Sequence, residues 1–153
     1  MKLQYPIEID VKEFFLHGKF DFVTIGADKE WLKTNFADPD NGDWNVGKKK
    51  DILLFGSIEF HFIDDKLTAI FSDKFTDFTG GKSIHVNNLW IISDEENRTF
   101  NNVTRKLHTE KVDYQLIHDR AATIDELHIL SSGVKLVFEN DCFKAFNLTG
   151  TKK

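Results

Sequence analysis

From Lys50 onward the chain changes its rhythm. Apolar residues that had recurred every three or four positions begin to recur at every second one. Upstream, Asp10 followed by "VKEFFLHG" puts Val11, Phe14 and Phe15 on one helical face, with Asp10 as N-cap and Gly18 as the stop. Asp28 opens a second helix, "KEWLKTNF". Its spacing of Trp31, Leu32, Asn35 and Phe36 assigns Trp31 to the core. Before the first helix, Tyr5 to Ile9 is expected to be extended. Between the helices, "KFDFVTIG" alternates through Phe20 and Phe22 and leads to a turn at Gly26. "ADPDNGD", Ala37 to Asp43, holds the Pro, Asn and Gly of a loop.

The period-two region predicts strands at "DILLFG", "SIEFHFI" and "KLTAIF", the last two joined by a tight turn at Ile63-Asp64-Asp65-Lys66. Alternation sends Ile58, Phe60 and Phe62 to one face and Glu59, His61 and Ile63 to the other. After Gly80-Gly81, "SIHVNNLWIIS" predicts a strand around Leu89 to Ile92, with Trp90 packed inward. "DEENRTFNNVTRKLHTEKV" reads as a helix whose stripe is Phe100, Val103 and Leu107. Strands follow at "YQLIHD", "DELHILS", "GVKLVFE" and "CFKAFNL".

The second half echoes the first. "IEFHFIDDKLTAIF" from Ile58 aligns without gaps on "VKLVFENDCFKAFN" from Val134, a constant offset of 76 positions. Apolar residues coincide at Ile58/Val134, Phe60/Leu136, Phe62/Phe138, Leu67/Phe143 and Ala69/Ala145. The turn Asp64-Asp65 lies over Asn140-Asp141. Leu32 and Phe36 parallel Val103 and Leu107 in the preceding helices. The expectation is an α+β fold in which two similar helix-then-antiparallel-strand units, about 10–93 and about 94–149, pack as one domain over 1–153. Helices would cover one face of the sheet.

Charge narrows the partners. The net charge is −5 and the pI about 5.6, which disfavours binding to a phosphate backbone. The one dense basic run, Lys48-Lys49-Lys50, reads as a solvated loop. Cys142 is the single cysteine, so no intrachain disulfide can form. Placed at the start of an apolar strand, it is expected to be a buried thiol. No apolar run matches a signal peptide or a membrane span, so the expectation is a cytoplasmic protein with no membrane partner.

Candidate chemistry is sparse. Glu59 and His61 share a strand face, as do Glu126 and His128, and alternate strand positions can offer two ligands to a metal. A zinc site needs three or four convergent ligands, and no HxH, HExxH or CxxC motif supplies them, so the expectation is no metal, no cofactor and no catalytic residue. Asp64-Asp65 lies between two apolar strands and is read as a turn rather than a catalytic carboxylate pair. "DPDNGD", Asp38 to Asp43, lacks the register of a calcium loop. Gly80-Gly81-Lys82-Ser83 lacks the upstream glycine of a phosphate loop, and Ser131-Ser132-Gly133 reads as a hairpin turn. Trp44, in a polar glycine-bearing segment, can serve as a binding anchor. Lys135 falls on the polar face of its strand.

"GADKEWLKTNFADPD" followed by "LLFGSIEFHFIDDKLTAIF" resembles the small bacterial modules of the BamE-type outer-membrane assembly lipoproteins. In tandem it resembles the β-lactamase inhibitor proteins and immunity-like families. The resemblance covers Gly26 to Phe71 and, more loosely, Thr99 to Leu148. The chain lacks both a lipobox cysteine and the paired cysteines of the secreted inhibitors. The resemblance implies a non-enzymatic protein-binding module, of the kind that masks a bacterial toxin or effector by occlusion. An acidic chain suits a basic partner. Expected contact residues are Glu59, His61, Trp44, Glu126, His128 and Lys135. The rival expectation is a small-ligand- or metal-dependent enzyme built on the two Glu/His pairs.

Overall fold

The computed structural model describes residues 6–36, 39, 52–119, 121 and 123–150. In chain order the elements are β1 (Ile7–Asp10), α1 (Val11–His17), α2 (Lys29–Asn35), β2 (Ile52–Phe55), β3 (Ile58–Ile63), β4 (Lys66–Ser72), β5 (Ile84–Asn87), α3 (Phe100–Thr109), β6 (Tyr114–Asp119), β7 (Ile124–Ile129), β8 (Val134–Glu139) and β9 (Cys142–Thr149). Seven strands form one antiparallel sheet in the order β2-β3-β4-β9-β8-β7-β6. β1 and β5 pair in parallel as a separate two-stranded ribbon.

Alternation in the sequence becomes a two-faced sheet. β3 and β8 bury every second residue, Ile58, Phe60 and Phe62 in one and Val134, Leu136 and Phe138 in the other. Aromatic rings carry the helices onto that face. Phe14 and Phe15 of α1 meet Phe146, with ring centroids at 5.5 and 5.2 Å. Phe36, at the end of α2, meets Phe55 at 5.2 Å, and Phe100 of α3 meets Phe138 at 5.4 Å. Edge-on ring pairs of this kind add to the stabilisation from burial itself. The phenylalanine-rich composition is thus spent on joining helix to sheet.

Local signals set the ends of α1. The Asp10 carboxylate accepts from the Glu13 N–H at 2.9 Å, and Gly18 stops the helix at φ 70°. The turn between β7 and β8 completes that stop. Ser132 Oγ donates to the Phe15 carbonyl at 2.7 Å, and Ser131 Oγ donates to the Leu16 carbonyl. Two carbonyls that a helix C-terminus leaves unpaired are thereby satisfied from across the chain.

Several backbone features recur at matching places in the two halves. Asp64 and Asp65 have φ 49° and 61°, and Asn140 and Asp141 have 51° and 65°, as a two-residue hairpin turn requires. A register shift falls between His61 and Phe62, and another between Val137 and Phe138, 76 positions later. Each helix docks on its hairpin in the same way. The Lys29 N–H bonds the Asp65 carbonyl at 2.8 Å, and the Phe100 N–H bonds the Asp141 carbonyl at 2.9 Å. The Leu67 N–H reaches Ala27 and the Phe143 N–H reaches Arg98, both at 2.9 Å.

Three expectations are corrected. The strand placed at Leu89 to Ile92 is a 3₁₀ turn at Trp90–Ile92, and the strand lies earlier, at β5. Positive φ at Asn88 and Trp90 (45° and 51°) ends the extended run, and Ile91 and Ile92 are buried from the turn instead. The alternating segment "KFDFVTIG" forms a turn closed by an isolated Phe20–Val23 bridge, and Gly26 takes φ 95° as its expected turn requires. Trp31 is 48% exposed. Leu32 and Phe36, four apart, take the buried stripe of α2, so Trp31 points about 100° away and lies edge-on to Phe22 at 5.7 Å. Cys142 is exposed, because the first residue of β9 sits beside the hairpin turn in the last ladder pair, opposite Glu139.

Candidate functional site

The face of the sheet turned away from the helices carries the candidate residues. Ladder partners place one row across all seven strands: Leu54, Glu59, Phe71, Asn147, Lys135, His128 and Gln115. A row on one side of it runs Ile52, His61, Ala69 and Thr149. A row on the other side runs Ala145, Val137, Glu126 and Ile117. At about 4.8 Å per strand, six spacings make the middle row roughly 29 Å long.

Five of the six residues singled out in the sequence meet on this face: Glu59, His61, Glu126, His128 and Lys135. Trp44 lies outside the described residues, as do the Lys48-Lys49-Lys50 run and all of Asp38 to Asp43 except Pro39. His61 Nε2 lies 3.1 Å from Glu59 Oε1, and His128 Nε2 lies 3.6 Å from Glu126 Oε2. All four side chains are partly solvent-exposed, so each pair is worth little in stability, about 1 kcal/mol or less. Their consequence is a polar, pre-ordered surface. The His61 ring also stands edge-on to Phe71, with centroids 5.7 Å apart.

The spacing of the two pairs decides what chemistry they can do together. Glu59 and His128 are separated by four strand spacings in the same row, roughly 19 Å. A zinc ion reaches its ligands at about 2 Å, so the two pairs cannot share one metal. Each alone offers two donors, and among the described residues no three His, Cys, Asp or Glu side chains converge as a metal site requires. Asp64 and Asp65 sit in the left-handed turn at the end of the β3–β4 hairpin, where their backbone conformation accounts for them.

At the β6–β9 end of the face a depression of about 410 Å³ is lined by Gln115, His128, Lys135, Thr149 and neighbouring residues. His128 Nε2, in its lining, and Asn147 Oδ1, in the middle row, are buried without a hydrogen-bond partner among the described residues. In these rows the carboxylates Glu59 and Glu126 outnumber the ammonium of Lys135. Phe71, Asn147 and Gln115 belong to the middle row but were not legible as candidates. Their own alternation marks them as facing outward, but only strand register puts them beside Glu59 and Lys135.

Among the described residues no helix is long and apolar enough to cross a membrane. No protein-family model, no curated protein and no solved structure matches the chain.

Proposed function

We propose that the chain is a non-enzymatic, cytoplasmic protein-binding module that docks a basic protein partner on the open face of its sheet, as an immunity-type inhibitor of a bacterial toxin or effector would. The observation that carries this reading is the continuous row from Leu54 to Gln115. Standard protein interfaces bury about 800 Å² per partner, a patch about 32 Å across, and the row of roughly 29 Å matches that span. The composition fits as well: an aromatic ring (Phe71) near the centre of the row, with polar residues on either side of it. Carboxylates in excess within a chain of net charge −5 favour a basic partner and speed its encounter.

The same reading treats the two halves as copies of one helix-plus-hairpin unit, in the manner of tandem BamE-like or inhibitor-protein modules. The repeated turns, register shifts and helix-docking bonds support it. So does the seam between the halves. Phe71 pairs with Asn147, its counterpart 76 positions on, and the flanking pairs Ile70–Leu148 and Ser72–Phe146 exchange under the same shift. A two-fold axis through Phe71 and Asn147 generates that pattern, and it joins two modest hairpins into one wide docking face.

The test is affinity capture from the native cell, with the wild-type chain and a Glu59→Lys variant run in parallel. One basic protein should be recovered by the wild type and at least tenfold less by the variant, with both chains equally folded by circular dichroism. Equal recovery by both overturns the docking face. A purified chain that turns over a substrate and captures no partner overturns the binding function itself.

A further inference from the structure

The sheet has a second feature independent of its open face. β6 is its terminal strand. All of its residues except Tyr114 are exposed, and its register with β7 is unbroken over six pairs. Edge strands are normally guarded by lysine, proline, a bulge or a cover, because their free amides template pairing with another chain. Between Tyr114 and Asp119 there is no lysine, no proline and no bulge.

The phase of the ladder tells which amides are free. In antiparallel pairs, hydrogen-bonded and non-hydrogen-bonded positions alternate. The Leu130 N–H donates to the Asp113 carbonyl at 3.1 Å. Asp113, Gln115, Ile117 and Asp119 therefore direct their backbone groups toward β7, and Tyr114, Leu116 and His118 direct theirs outward. The outward set is symmetric about Leu116. Leu116 and Ile117, 49% and 40% exposed, also place apolar surface on opposite sides of the edge.

We infer that β6 is a self-pairing edge, through which two copies of this chain join antiparallel about a two-fold axis at Leu116 to form one continuous sheet. For like faces to stay together across such an axis, it must pass through a residue rather than between two. An axis at Leu116 pairs Leu116 with Leu116 and Tyr114 with His118 of the second copy. It satisfies all six outward N–H and C=O groups of these three residues. An axis at Ile117 leaves Tyr114 without a partner inside the strand. The axis at Leu116 does set Asp113 opposite Asp119, but that repulsion is exposed and screened by water, and the additional backbone bonds outweigh it. The strand is already ordered, which lowers the entropic cost of pairing. Tyr114 Oη lies 3.0 Å from His108 Nε2 on α3, and His118 bonds Asp125 on β7.

The second copy is favoured over a foreign peptide by this symmetry.

Light scattering after size exclusion is the test. The wild-type chain should approach twice 17.7 kDa as concentration rises. Leu116→Pro removes one outward N–H and leaves the β6–β7 bonds intact, so it should stay at the monomer mass with an unchanged circular dichroism spectrum. Leu116→Lys, which keeps every amide, should do the same if the proline variant proves unstable. In a Cys142→Ser background, oxidised Leu116→Cys should become a covalent dimer. A wild-type mass of 17.7 kDa at every concentration overturns the inference and leaves the edge to a foreign strand. A dimer that persists in both Leu116→Pro and Leu116→Lys overturns it as well.

Discussion

Cys142 and Trp31 show where one residue's surroundings escape its local sequence. Both stand beside apolar neighbours, and both are solvent-exposed. A helix rotates about 100° per residue, so the stripe through Leu32 and Phe36 turns the residue before it outward. A strand that starts at a hairpin turn begins outside the sheet's covered zone. The exposure of Cys142 has a simple consequence. A thiol reagent should label one cysteine per chain in the native protein, at a rate close to that in denaturant. Protection by a hundredfold or more would mean the residue is buried after all. Residues in the interior of strands were the legible ones: Ile58, Phe60 and Phe62 are buried and Glu59 and His61 half-exposed, as alternation alone requires.

Among the elements, those with chemical punctuation were read most closely. Asp10 and Gly18 bound α1, and Asp64-Asp65 and Asn140-Asp141 close their hairpins with positive φ. Thr99, which caps α3 by accepting from the Asn102 N–H at 3.3 Å, was not singled out, and the helix was expected to begin earlier, at Asp94. The turns still carry strain, because a left-handed conformation is easiest for glycine. Asp141→Gly removes a side chain that has no role in docking α3, since the bond from Phe100 goes to the Asp141 backbone carbonyl. The variant should gain about 0.5 kcal/mol, with the turn strain relieved exceeding the extra flexibility of the unfolded chain. For a domain of this size that is a rise of roughly 1–2 °C in Tm by thermal melt; a fall of several degrees would mean the aspartate side chain supports the hairpin. The 3₁₀ turn at Trp90–Ile92 was misread for a physical reason: three consecutive apolar residues carry no periodicity to separate a buried strand from a buried turn.

For the whole molecule, the sheet order makes β4 and β9 central and leaves β6 at an edge. Stability is therefore uneven. In native-state hydrogen exchange the amides of Ile70 and Phe146, inside the sheet on its buried face, should be the slowest. Those of Leu116 and His118 should exchange fastest in dilute solution and slow as concentration rises if β6 self-pairs; uniform protection across the sheet would contradict this picture. By itself the sequence determined the α+β class, the positions of the seven sheet strands, the two caps of α1 and the inward or outward sense of most strand residues. Each of these rests on interactions a few residues apart, such as side-chain alternation, capping bonds and turn dihedrals. Only the tertiary structure decided that β4 pairs with β9, that Phe71 lies beside Asn147, and that the two Glu/His pairs stand too far apart to share a metal. Those depend on register between strands far apart in the chain. Alternation restricts register only to steps of two residues, and the packing of helices on the buried face selects among them.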